Sequence, residues 1–345
     1  MLKIYTDRQF LIETHRREVF PLLFDINFLT PNKLSEYFTI VDIITASDVV
    51  ILPINYTSFL KYKPAFNNLI KQAKEHNKPL WVYTSGDYGF TNYISNSYTF
   101  RLGGFKSKLN KNNFIMPSFI NDPYLVLEQD FSVLKKLPQP SIGFVGHAQS
   151  GILKYCKEWI NHVKGAVKRI FKNQLVDKQA FYPSSIKRAN YLSLLSKDIR
   201  LNSNFILRNN YRAGIQTEID KQKTTQEFYN NICNNAYTFC SRGVGNFSVR
   251  FYETLAMGRI PVLLNTDCKL PLEDTIDWKQ HCVIIEENEV SKMVEKILEF
   301  HNSKNEDQFL ELQRNNRLLW KSKLLRDQYF IAIHDMFINK KKSHA

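Results

Sequence analysis

The segment CSRGVGNFSVRFYE, residues 240–253, sets Arg242 and Arg250 around a loop with two glycines that opens onto a predicted helix. A helix start of this kind offers free backbone N–H groups and the positive end of the peptide dipole, which together attract phosphate. Arg242 and Arg250 would add charge-assisted bonds to phosphate oxygens. Glu253, one turn beyond Arg250, is an acceptor suited to paired ribose hydroxyls. Ser248 has the type and place of an N-cap, its hydroxyl accepting a backbone N–H of the first turn. An intrahelical Arg250–Glu253 ion pair, worth roughly a few tenths of a kcal/mol, accounts for the same two charges. Gly243 and Gly245 do not form a Walker loop, because no GKS or GKT follows.

The elements that must position this segment follow from hydrophobic patterning. Residues 2–6 (LKIYT), 48–54 (DVVILPI) and the run PLWVYT are apolar, β-branched and bounded by polar turns, as buried strands are. FNNLIKQAKEHNKP reads as a helix between the second and third of these. Alternating strand and helix at this spacing imply a parallel sheet with helices on its faces. Residues 103–140 are less regular and end in KKLPQPS, a linker by its two prolines. The pattern restarts near Ser141 with SIGFVGHAQSGILKYCKEWINHVKGAVKRIF, and later strands are expected at NFIL, AYTFC, IPVLL and CVIIE. In the helix after Ser248, Val249, Tyr252, Leu255 and Ala256 share one face, Arg250, Glu253 and Met257 another, and Gly258 is placed as the stop. Two such units leave a cleft, and ligands of parallel sheets sit beyond the carboxyl ends of the strands, here after WVYT, IGFV and YTFC.

The chain has 345 residues, 43% hydrophobic and 23% charged, a composition of soluble globular proteins long enough for two cores. No apolar run reaches the length of a membrane span, and MLKIYTDRQF reads as a first strand rather than a signal peptide. Five cysteines without CxxC spacing suit reduced thiols in a cytosolic protein and no zinc site. The net charge of +14 suits an anionic partner. No compact basic-aromatic module of a nucleic-acid reader stands out, so nucleic acid is not the expected partner. Lys340, Lys341 and Lys342 near the C-terminus are a solvated end or a peripheral contact with an anionic membrane surface, at about 1 kcal/mol each.

The stretch FCSRGVGNFSVRFYETLAMGRIPVLLNT, followed by LPLEDTIDW, resembles the exostosin family of glycosyltransferases. The matching elements are Arg242-Gly243, the Ser248-x-Arg250-x-x-Glu253 helix, Ile260-Pro261-Val262 and the run from Leu270 to Trp278, within roughly residues 225–290. KRANYLSLL, with Arg188, is similar to an upstream arginine helix of the family. SGDYG is similar to the His-Asp-Trp-Gly loop of its plant branch, with Gly86 and Tyr88 in place of His and Trp. The resemblance implies an α/β GT-B architecture of two Rossmann-like domains facing each other across a cleft. It divides the chain into an acceptor-side domain at 1–138 and a nucleotide-sugar-binding domain at 139–314, with a C-terminal helix at 315–345 packing back on the first. On this implication Arg250 and Arg188 face a diphosphate and Glu253 faces ribose. Arg242, Gly243, Asn246, Phe247 and Ser248 line the donor pocket, and Gly146 and His147 bring backbone N–H groups toward phosphate.

The family further implies inverting transfer from a nucleotide sugar, with a uridine diphosphate sugar favoured, to a glycan or polysaccharide acceptor. A base is then required on the first domain. Asp87, after a strand in a glycine-flanked loop, is the first choice, against a reading as a turn residue; Asp7, after the first strand, is the second. Glu273, Asp274 and Asp277 read as caps that orient a short helix with Trp278 in the core rather than as metal ligands. No DxD-type motif is convincing, so no obligatory metal cofactor is expected, which leaves room for stimulation by a divalent cation. Without a membrane anchor, the chain resembles a free catalytic domain of bacterial or viral type in the cytoplasm, peripheral at most at the inner membrane face. A catalytically inactive sugar-binding or scaffold member of the same fold is the alternative.

Overall fold

The computed structural model describes residues 1–171, 175–209, 214 and 217–343, with the side chains from 340 onward, including the three clustered lysines, outside the described residues. The first unit is built on β1 (Leu2–Tyr5), α1 (Pro21–Phe28), β2 (Phe38–Ile40), β3 (Val49–Ile51), α2 (Tyr56–Phe59), α3 (Lys63–Glu75), β4 (Leu80–Thr84), β5 (Ser97–Arg101) and β6 (Asn113–Ile115). Its strands form one parallel sheet in the order β2-β1-β3-β4-β5-β6. β3 and β4 are buried almost throughout, which is why they read as continuous apolar runs. In α3, Phe66, Leu69 and Ala73 turn inward at helical spacing.

The second unit comprises α4 (Pro123–Leu127), β7 (Ser141–His147), α5 (Ile152–Ile170), α6 (Ser184–Lys197), β8 (Asn202–Arg208), α7 (Glu218–Asn234), β9 (Tyr237–Cys240), α8 (Val249–Ala256), β10 (Ile260–Asn265), β11 (Val283–Glu286), α9 (Met293–Asn302) and α10 (Glu306–Leu319). Its sheet is again parallel, in the order β11-β10-β9-β7-β8. Two parallel α/β sheets in sequence are the Rossmann-like pair expected of GT-B. The last helix, α11 (Arg326–Ser343), crosses back and buries Tyr329, Phe330, Ile333 and Phe337 in the core of the first sheet.

Packing divides the chain differently from the linker pattern. Tyr124, Leu127 and Phe131 pack with Ile232 and Met257, and the Gln313 side chain bonds both backbone groups of Leu134, so residues 123–134 lie on the second unit before the proline linker is reached. At the other end, Trp320 and Leu324 are buried with Phe251 and Trp278, and the return to the first unit begins only with α11. Arg317 ties these two crossings together through Asp122, donating from Nη1 at 2.9 Å. The connecting segments 123–134 and 320–324 thus pack on the second unit, reaching about 15 and 10 residues outside the expected boundaries at 138 and 314, because their apolar side chains found partners there.

The two units meet along the 103–107 segment of the first. Phe105 and Cys268 form an antiparallel bridge, and Ser107 donates to the Asp267 carboxylate. No described helix is long and apolar enough to cross a membrane.

Candidate functional site

A cavity of about 750 Å³ opens at the carboxyl ends of β7 and β9, between the 179–182 segment, α6, the polar face of α5 and Tyr88 of the first unit. The position follows from topology: β7 and β9 are neighbours in a parallel sheet, and the loops leaving them diverge above it. His147, Arg188, Arg242 and Gly243 line this cavity. Among its described lining residues, Glu158 is the sole carboxylate.

Three arginines stand at this end of the sheet: Arg188 and Arg242 line the cavity, and Arg250, outside the lining, lies close enough to Arg188 for their charges to interact. Arg188, on α6, donates to the carbonyl of His147 at 2.7 Å, to the carbonyl of Arg242 at 3.0 Å and to Ser241 Oγ at 3.1 Å. It thereby locks the loops after β7 and β9 to each other. Arg250, on the first turn of α8, lies over the Phe144 ring at 4.2 Å and donates to the Val145 carbonyl at 2.7 Å. Gly146 makes room for it: a Cβ there would stand 2.9 Å from Arg250 Nη2. Arg242 is 5% exposed, sits over Tyr182 at 4.6 Å, and donates to Gln179 at 2.7 Å and to the Val244 carbonyl at 2.8 Å.

Among the described residues no carboxylate lies within ion-pair distance of Arg188, Arg242 or Arg250. The Nε atoms of Arg242 and Arg250 are buried with no partner. Burial, followed by the nearby Arg250 charge, brings Arg188 down to about 10, and burial also lowers Arg242 and Arg250. Such a cluster of cations is costly without an anion among them.

Glu253 does not supply that anion. It lies one turn along α8 and makes no ion pair with Arg250; burial pushes its carboxyl up to about 7, with Arg250 acting only partly against the shift. The ion-pair reading of the two residues is thereby displaced. His147 lies at the cavity wall with Nδ1 3.1 Å from the Arg208 carbonyl, and burial and Lys154 lower its pKa.

Ser248 stands at the N-cap of α8, but its hydroxyl makes no capping bond. The expected cap is corrected on this point: Ser248 borders a small apolar cavity with Phe247 and Tyr252. α8 is buried nearly all round, with Phe251, Tyr252, Thr254, Leu255 and Ala256 inside and Val249 exposed, so its faces are not the two read from spacing. Gly258 ends it in the left-handed conformation at φ 66°. Asn246 is 1% exposed and fully engaged, accepting from Thr266 Oγ1 at 2.6 Å and donating to the carbonyls of Thr266 and Asp267. It fixes the loop rather than presenting free groups to the cavity.

The base candidates lie on the first unit and outside the cavity lining. Asp87 is exposed, and its backbone touches the other unit: a Cβ on Gly245 would fall 2.0 Å from the Asp87 carbonyl oxygen. Asp7 accepts from Gln9 N at 3.1 Å and caps the turn after β1. Of the acidic cluster, Glu273 accepts from Leu270 N and pairs with Lys106, Asp277 caps the turn that begins at Trp278, and Trp278 is buried. No group of described residues has the makeup of a metal site.

The sequence pattern pointed to none of Arg101, Asp177, Gln179 and Tyr182. Arg101, 1% exposed on β5, donates to Asp177 and to the Tyr88 carbonyl, both at 2.9 Å, and Asp177 accepts from Thr91 N at 2.8 Å. Asp177 thus staples the 175–182 segment of the second unit to the Tyr88 loop of the first. These residues have no shared spacing, and only the charge of Arg101 inside an apolar strand signalled a partner.

Comparison with known proteins bears on this arrangement. The Exostosin GT47 domain profile matches residues 39–300, from β2 to α9. The chain belongs to the exostosin GT47 family. This family member is 28% identical over 171 residues to Exostosin-1 of Drosophila melanogaster, a match covering 44% of this chain and 21% of that protein. It is 32% identical over 66 residues to a probable glucuronosyltransferase of Oryza sativa subsp. japonica, covering 19% and 16%. Against an Exostosin-1 homolog of Caenorhabditis elegans it is 30% identical over 67 residues, covering 19% and 18%. The chain spans about a fifth of the length of these relatives. Among solved structures it is similar to TarM, with 13% identity, 84% of this chain and 54% of that one covered, and a TM-score of 0.36. The GtfA/B complex is similar at 9% identity, with 84% and 57% covered and a TM-score of 0.38.

Proposed function

We propose that the chain is an inverting glycosyltransferase that moves a sugar from a nucleoside diphosphate sugar, a uridine diphosphate sugar by family precedent, to a glycan or polysaccharide acceptor. One observation carries the donor half of this reading: three guanidiniums share the end of one sheet with no carboxylate among them. A diphosphate brings the missing negative charge and the acceptors that the Nε atoms of Arg242 and Arg250 lack. Glu253 then takes the ribose hydroxyls, and the loop from Gly243 to Ser248 borders the donor.

In the reaction an acceptor oxygen attacks the anomeric carbon as the bond to the diphosphate oxygen breaks, a base takes the hydroxyl proton, and the configuration inverts. The arginines stabilise the charge that grows on the leaving diphosphate. They take the place of an obligatory metal in this reading, while a divalent cation can still stimulate by screening the free phosphate oxygens. Asp87 is the proposed base, since its loop abuts Gly245 and comes from the opposite unit.

A second reading, a sugar-binding member without transfer activity, is favoured by the absence of both base candidates from the residues that line the cavity. Thermal melting of the chain against nucleoside diphosphates and nucleotide sugars, followed by product analysis with the best binder, separates the two. Stabilisation by a nucleotide with sugar transfer supports the enzyme; stabilisation without transfer or hydrolysis supports the second reading; no stabilisation by any of them removes both.

A further inference from the structure

α5 is amphipathic in the opposite sense from a helix that covers a sheet. Lys154, Lys157, Glu158, Asn161 and His162 turn toward the cavity, whereas Ile152, Trp159, Ile160, Val163, Val167 and Ile170 form a stripe on the other side. None of its 19 residues is buried. Along the stripe, Ile152 is 82% exposed, Trp159 51% and Ile170 71%. An apolar face of about five helical turns left in water is large for a soluble protein and marks an interaction surface.

The flanking charges select what covers it. Beyond the cavity-lining Lys154, Lys157 and Glu158, of which Glu158 pairs with Lys154, α5 carries Lys164, Lys168 and Arg169 and no further acid. A second copy laid on this face would set the same cations against each other, on a chain whose net charge is already +14. An anionic lipid surface offers the complement on both counts, with acyl chains for the Trp, Ile and Val side chains and headgroups for Lys164 and Lys168.

We propose that α5 lies in the interface of an anionic membrane, its apolar stripe sunk below the headgroups and its polar face forming the wall of the cavity. The helix then holds the mouth of the cleft at the bilayer surface. This binding is a property of the helix and does not rest on the donor-site reading.

Trp159 supplies the probe. The other tryptophans, Trp81, Trp278 and Trp320, are buried, so a change of emission on adding vesicles reports Trp159. The full chain is mixed with phosphatidylcholine vesicles with and without about one-third phosphatidylglycerol. Binding at low salt is expected to be at least about tenfold stronger to the anionic vesicles and to weaken as salt is raised. Trp159 emission should move to the blue and be quenched by brominated acyl chains. The double variant Ile160→Glu and Val163→Glu should lose the quenching, while Lys164→Glu with Lys168→Glu should lose the preference for anionic lipid. All four side chains stand outside the cavity lining, so both variants should keep the wild-type melting response to nucleotides.

Wild-type binding by both variants, or no binding to anionic vesicles at low salt, overturns the proposal. So does blue, unquenched Trp159 emission in vesicle-free protein, or a dimer in light scattering that Ile160→Glu and Val163→Glu dissolve, since either means that protein covers the stripe. A chain that binds vesicles but no nucleotide keeps this inference and loses the donor site; the converse result does the reverse.

Discussion

Arg250 and Glu253 occupy consecutive turns of α8 without pairing: the guanidinium turns away onto the Phe144 ring and the Val145 carbonyl, and the carboxyl is left buried with its pKa near 7. A surface pair would have satisfied both charges and contributed little. Separated, each is held in the charge-poor setting where a ligand gains most from meeting it.

Replacing Arg250 by Ala should lower kcat/KM at least about a hundredfold, the scale of losing one strong donor to a developing anion. The fold should survive at a cost of about 1–3 kcal/mol, from the Val145 carbonyl left without its donor and the lost contact with Phe144. Steady-state kinetics and thermal melting check the two parts; full activity in a folded variant would sink the phosphate role.

The Glu253 carboxyl makes pH a probe of the ribose contact. Hydroxyls donate to the ionised form, so nucleotide affinity should rise with pH up to about 7 and then level off. Calorimetry in buffers of different ionisation enthalpy should record about half a proton released per nucleotide near pH 7. Glu253→Gln should bind more weakly and lose the pH dependence. A wild-type pH profile in that variant would count against the assignment.

The same shift has a sign for stability. A carboxyl raised above its unfolded value of about 4.3 holds its proton more tightly in the folded chain, so stability falls as pH climbs from about 4.5 and stops falling just above 7. Glu253→Gln, neutral throughout, should gain on wild type by about 2–3 kcal/mol between pH 5 and pH 8. Melting curves at the two values decide it, and an unchanged gap would mean that Glu253 is already well solvated.

Gly245 should be intolerant for a reason of space. Its Cβ would collide with the Asp87 carbonyl, so Gly245→Ala forces the two loops apart. Transfer is expected to fall about tenfold or more through misplacement across the cleft, with nucleotide binding by the second unit largely kept. Parallel measurement of nucleotide binding and turnover distinguishes this from general unfolding, which would remove both.

Asp87→Asn and Glu158→Gln test the base against the one carboxylate in the described cavity lining. Asp87→Asn should cut kcat by about 100-fold or more with nucleotide affinity unchanged. Glu158→Gln, which frees Lys154 from its pair, should leave kcat within a few-fold. The reverse result would move the base to α5.

Much of the molecule was legible because parallel sheets advertise themselves. β3, β4, β7, β9 and β10 are buried on both faces and stand out as apolar runs; β11, at the sheet edge, stands out by its run of Val283, Ile284 and Ile285. β2 and β6 did not, since three-residue edge strands such as FTI and NFI carry too little pattern. β5 was also missed, because Thr99 and the buried Arg101 break its apolar run. The residues of the 240–253 segment were visible in their order and type, but not in their partners.

Local chemistry alone determined the helix after Ser248, the stop at Gly258 and the gathering of arginines near two strand ends, because turn geometry and short-range periodicity are set by neighbours in sequence. Tertiary structure decided the rest. Whether Arg250 would face Glu253 or Phe144 depended on a ring 106 positions away, brought beside α8 by the pairing of β7 with β9. The staple between Arg101 and Asp177, and the outward turn of the apolar side of α5, likewise arise from contacts between distant segments, whose identities no local pattern encodes.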